Sequence, residues 1–167
     1  MTPERLIECS NISPAFIPVD TQSAANNGDY VSMKDYHRCL VVLFKAVGVA
    51  GDDPVFNLQQ ATNNAGAGVK DLLFDEVFTK LAVDITTLGI FTRVAQTAAT
   101  SYTNATSAEM AGLICVEINS DMLDADNGFD HIRLDVADTG AAGAQLAGAL
   151  YIMYDPRSAQ GIPISAL

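Results

Sequence analysis

The sequence contains no tryptophan, and aromatic residues of every kind make up only 7% of it. That argues against a sugar-binding cleft, which stacks its ligand on exposed rings. Charge is also scarce. Asp, Glu, Lys and Arg supply 17% of the chain, where globular proteins carry roughly 25%. Two explanations stand side by side: a partner covers part of the surface, or the plentiful Ser, Thr, Asn and Gln keep it soluble.

Basic residues are the rarer sign, nine against twenty acidic, for a formal net charge of −11. Nucleic-acid affinity comes mostly from neutralised phosphates. Here Arg5, Lys34, Arg38, Lys45, Lys70, Lys80, Arg93, Arg133 and Arg157 are scattered singly. An acidic chain without a basic stripe is repelled by DNA and by anionic lipid, so neither is expected as a partner.

The three cysteines, Cys9, Cys39 and Cys115, are odd in number and form no Cys-x-x-Cys. Cys39 and Cys115 lie in apolar runs, where a free thiol behaves as a small hydrophobe. This is the pattern of a protein made in a reducing compartment. Met1–Ser10 lacks a basic stretch followed by an apolar run, so no signal peptide is expected. No apolar run reaches the ~18 residues of a membrane span. The sequons Asn11-Ile12-Ser13 and Asn104-Ala105-Thr106 are then chance matches.

Catalytic signals are missing too. The two histidines are His37, just ahead of an apolar run, and His131, on the polar side of an alternating one. Gly-x-Ser-x-Gly, His-Glu-x-x-His and phosphate-binding glycine loops do not occur. Gly66-Ala67-Gly68 reads as loop flexibility. Asp121–Asp130 offers four carboxylates in ten residues, and oxygen clusters suit calcium. Counted from Asp124, however, the fifth and sixth positions of an EF-hand loop fall on Gly128 and Phe129. The segment is therefore expected to be a solvated acidic hairpin turning at Asn127-Gly128. No catalytic, cofactor-binding or metal-binding residue is assigned.

What is present is strand pattern. Residues 1–29 hold Pro3, Pro14 and Pro18 and read as an extended N-terminal arm; residues 30–167 form the domain. Arg38–Val47 is apolar on both faces, which predicts a central strand packed on both sides. Val55–Ala61, Phe91–Thr97, Ala111–Ile118, His131–Asp138 and Leu146–Tyr154 follow as strands. In His131–Asp138, Ile132, Leu134 and Val136 point inward and His131, Arg133 and Asp135 outward. Asp71–Ala82 places Leu73, Val77 and Leu81 at helical spacing, and local pattern alone predicts a short helix. The expected core is Leu40, Val42, Phe44, Leu113, Val116, Ile132, Leu134, Val136, Leu150 and Ile152. Strands separated by turn signals give an all-β fold, an antiparallel β-sandwich of jelly-roll type.

Several segments carry a resemblance. They are Ala24–Lys34, the apolar strand after Arg38, Asp53–Ala61, Leu123–Phe129 followed by Ile132–Val136, and Ala149–Arg157. Across about residues 16–158 the chain resembles the capsid decoration, or cement, proteins of tailed bacteriophages. These motifs are structural rather than chemical, and phage tail and neck proteins share the style. The resemblance implies a non-enzymatic virion protein made in the host cytoplasm. It would sit on the outside of the head as a homo-oligomer, a trimer, bound to the major capsid protein lattice. It also implies a strand at Asp71–Ala82. The alternatives are a tail or neck component, a carbohydrate-binding β-sandwich module and, last, a β-sandwich hydrolase.

Overall fold

The computed structural model describes residues 6–103, 110–140 and 143–158. A helical turn, α1 (Leu6–Cys9), leads into β1 (Asn11–Asp20), β2 (Asn26–Asn27), β3 (Val31–Ser32), β4 (Tyr36–Lys45), β5 (Val55–Ala61) and β6 (Lys70–Asp71). Then come β7 (Phe74–Ala82), β8 (Thr92–Ala99), β9 (Ser101–Thr103), β10 (Ala111–Asn119), β11 (His131–Val136) and β12 (Leu146–Pro156). The fold is an antiparallel β-sandwich. Sheet A has the order β1-β12-β4-β10-β7-β8, and sheet B runs β2-β11-β5-β6, with β3 also on β11 and β9 on β5. The chain passes repeatedly from one sheet to the other, the wrapping of a jelly roll. Among the described residues no helix is long and apolar enough to cross a membrane.

The core fills the space between the sheets. Cys39, Val41 and Leu43 of β4 and Ile114, Val116 and Ile118 of β10 face Phe56 and Leu58 of β5 and Ile132, Leu134 and Val136 of β11. Phe56 and Phe74 meet edge to face across the layers, 6.1 Å between ring centres. Tyr151 is fully buried, and its hydroxyl accepts the Leu134 amide of the opposite sheet at 2.7 Å. This hydrogen bond links the two layers within a largely apolar interior.

Four expectations for residues 30–167 need correction. The helix expected at Asp71–Ala82 is strand β7 over Phe74–Ala82, paired with β10 and β8. Its ladder shifts between Phe74 and Glu76. The irregularity lets Phe74 and Val77, three apart, both reach the core, while the spacing of four in Leu73, Val77 and Leu81 fits one side of a strand as well as one face of a helix. On β4 the faces are reversed: Cys39, Val41 and Leu43 are buried, while Leu40 and Phe44 are only partly so. Leu113, Leu150 and Ile152 share that outer side and are likewise partly exposed. His131 and Asp135, expected outward, are buried: β3 pairs alongside His131 and β2 alongside Asp135, and Tyr30 stacks on Arg133 between them. Finally, Asp121–Asp130 joins β10 of sheet A to β11 of sheet B, so it is an inter-sheet crossover and not a hairpin. Gly128 does turn it, with φ of +81°.

The described part of the N-terminal segment, expected as an arm outside the domain, is a strand of the sandwich. β1 pairs with β12 from Asn11 to Asp20. Pro14 and Pro18 fall where that ladder shifts, which an edge strand tolerates because its far side needs no donors. Beyond β1, the Thr21 hydroxyl donates to the Gln145 carbonyl and the Gln145 amide to Asp20 Oδ1.

Candidate interaction surface

The outer face of sheet A is built in rows by strand register. Leu40 stands between Ile152 and Glu117, Val42 between Leu150 and Cys115, and Phe44 between Gly148 and Leu113. β1 extends the first two rows with Ile12 and Pro14, and β7 extends the lower ones with Phe78 and Lys80. Strand spacing makes the apolar centre roughly 400 Å² in plan. Ile12 and Leu146 on this face are 44% and 54% exposed, and Leu40, Phe44, Leu113, Leu150 and Ile152 are half-buried. Val42 and Cys115 are the exceptions, buried by their neighbours.

Charge at the margin of this face is paired within the sheet. Arg38 Nη1 and the Tyr154 hydroxyl both donate to Glu117 Oε1, at 2.9 and 2.6 Å. Arg93 bonds Glu76 on the neighbouring strand. These partners hold the Glu76 carboxyl below its usual range, chiefly through the Arg93 hydrogen bond. A hollow of about 280 Å³ lined by Arg38, Phe78, Glu117 and Met122 lies at one end. Arg38 and Glu117 there bond each other and Glu76 bonds Arg93, while Asp75 lines the hollow and Lys80 of the lower row lies over the Phe91 ring, so the centre of the face is apolar and its charge stands at the margin.

Sheet B presents the opposite character. His131, Arg133 and Asp135 of β11 lie beside Ala61, Gln59 and Asn57 of β5. Arg133 grips Asp135, donates to Gln59 Oε1 at 2.9 Å and lies 4.7 Å from the centre of the Tyr30 ring. Burial raises the Asp135 carboxyl pKa, and Arg133 works against that rise.

The residues weighed for chemistry do not converge. His37 is exposed at the start of β4, and His131 Nδ1 bonds its neighbour Asp130. Asp130 also pairs with Lys34 at 3.1 Å. Asp124 is held by Lys70 and by the Asn127 amide, contacts that keep its carboxyl below the usual range. Among the described residues no group of three or more His, Cys, Asp or Glu side chains is placed to hold a metal ion. Burial pushes the Cys39 thiol to about 12 and the Cys115 thiol to about 11, far from a reactive thiolate.

No family model, curated protein or solved structure matches the chain. The functional reading therefore rests on its own residues. Local alternation in the sequence gives β4, β10 and β12 of the outer face but neither β1, which reads as an arm, nor β7, which reads as a helix, and it places half of the face's side chains in the core. Glu117 was the available signal: it shares a side of β10 with Leu113 and Cys115, and an unburied carboxylate marks that side as outward.

Proposed function

We propose that this protein is a non-enzymatic virion structural protein, a decoration or cement protein that binds the outside of a phage head and stabilises it. The observation that carries the reading is the contrast between the sandwich's two outer faces, apolar on sheet A and polar on sheet B. A domain seated on a protein lattice needs one face to dock and one to meet water. Burying apolar area stabilises docking by about 25 cal/mol per Å², less the cost of immobilising the domain. The net acidic charge and the neutral docking face favour a protein partner over nucleic acid. The resemblance in Ala24–Lys34, Asp53–Ala61 and Ala149–Arg157 supports a head location, with the major capsid protein lattice as partner and the chain associating with copies of itself.

Cryo-electron microscopy of phage particles assembled with and without the chain tests this. The expected result is added density outside the shell, with sheet A toward the lattice. Density at the neck or tail would replace the head reading with a tail component, and no density on any particle would remove the virion reading.

A further inference from the structure

An open sheet edge is a template for another strand, and folded proteins blunt their edges with prolines, charge, bulges or short strands. Most edges of this sandwich are blunted. β1 carries Pro14 and Pro18 and two register shifts. In sheet B, β2, β3 and β6 are two residues long and β9 is three.

The outer edge of β8 is less blunted, its one irregularity falling at Gln96–Ala98. The strand runs eight residues, Thr92–Ala99, without a proline. Its one charged side chain, Arg93, is bonded to Glu76 of β7. Its register shift lies beyond Ala95, so Thr92–Ala95 pairs regularly with β7. It ends the sheet order, and among the described residues nothing pairs with its far side. Just ahead of it Ile90 is 89% and Phe91 46% exposed.

We propose that β8 is the edge at which two copies of this chain join, antiparallel about a two-fold axis, so that sheet A continues from one protomer into the other. The occupant is argued from self-complementarity. The segment is bulky just ahead of the strand, with Ile90 and Phe91, and small toward the strand's end, with Ala95, Thr97 and Ala98. Antiparallel pairing sets the bulky end of each copy against the small end of the other. It also sets Arg93 against neutral residues, which avoids the penalty of like charges directly opposed. A chain of net charge −11 meets its copy here along a strand free of acidic groups. A basic partner would be drawn to the acidic remainder of the surface instead. Closed two-fold pairing makes a dimer, in place of the trimer that the resemblance implies. The interface is smaller than the standard ~1,600 Å², so the dimer forms at high chain concentration and tightens as salt screens the net charge.

Sedimentation equilibrium of the full chain at physiological salt, up to several hundred micromolar, tests the proposal. A reversible monomer–dimer equilibrium is expected. Thr97→Lys combined with Ala98→Lys, both at exposed positions, should weaken it at least about tenfold. Leu150→Asp on the outer face of sheet A should leave it unchanged. Hydrogen exchange on the unmodified chain supplies a reading that needs no variant: amides of residues 92–99 should gain protection as concentration rises. A monomer throughout, a trimer, a dimer indifferent to the two lysines, or a dimer lost in Leu150→Asp would each overturn the proposal.

Discussion

Phe44 lies over Gly148. The two residues face each other across β4 and β12, and a Cβ added at 148 would stand 2.6 Å from the Phe44 ring. The missing side chain lets the ring lie down on the sheet, which keeps the outer face flat where a partner would seat.

That relationship predicts a difference between two glycines. In Gly148→Ala only the far end of Phe44 must move, at about 1 kcal/mol. In Gly112→Ala the backbone sits at φ +144° and the new Cβ would stand 2.0 Å from the Lys80 carbonyl oxygen. Neither can give easily, so a loss of about 3 kcal/mol or more is expected. Urea denaturation of both variants checks the order; equal losses would contradict the description of β10.

Adjacent residues of β4 should respond unequally to truncation. Leu43 is fully buried between the sheets and Phe44 only partly so, on the outer face. Leu43→Ala is expected to cost about 2–5 kcal/mol. Phe44→Ala should cost under about 2, because its ring remains partly in water. The reverse order in denaturant melts would turn β4 over and remove the docking face.

Lys45 gives stability a pH dependence. Burial lowers its folded pKa to about 8, with Asp53 acting in the opposite direction, and its ammonium donates to the Met110 carbonyl. An unfolded lysine titrates near 10.4. The unfolded chain therefore holds the proton more tightly between these values, and stability from this group rises with pH through that window. Below pH 8 the penalty is fully present. Relative to Lys45→Met, the unmodified chain should gain on the order of 1–2 kcal/mol between pH 8 and 9.5. Taking the difference removes the opposing contribution of Cys39 and Cys115, whose raised pKa values cost stability above pH 9. A difference independent of pH would show that Lys45 is not desolvated.

Chelation should leave the melting temperature unchanged. Asp124 and Asp130 of the acidic crossover are engaged by Lys70 and Lys34, and a structural calcium would need those oxygens. A drop with EDTA that calcium restores would contradict this.

Fold class was legible in the sequence because alternation and turn signals are local. Orientation was harder. β4 is apolar on both sides, so a period of two gives its two faces without saying which is inward. The choice is made by partners distant in sequence, Gly148 and Glu117, that only the register brings beside it. β7 looked helical because Leu73, Val77 and Leu81 are spaced by four, a spacing that shares one face in a helix and one side in a strand alike. On β11 alternation assigned the inward set correctly but could not show that β2 and β3 pair alongside the polar one and that Tyr30 stacks on Arg133 there. The outer face of sheet A was hidden for the same reason as the orientation of β4: its side chains read as core.

The central claim is that the outer face of sheet A binds the capsid lattice, and a particle-binding assay with three proteins measures it most directly. The unmodified chain, Leu150→Asp on sheet A and Asn57→Asp on sheet B would be titrated onto phage heads stripped of decoration, after circular dichroism shows all three folded. The account predicts that Leu150→Asp binds at least about tenfold more weakly, a loss of about 1.4 kcal/mol, while Asn57→Asp binds like the unmodified chain. Unchanged binding by Leu150→Asp, or a loss confined to Asn57→Asp, would contradict it.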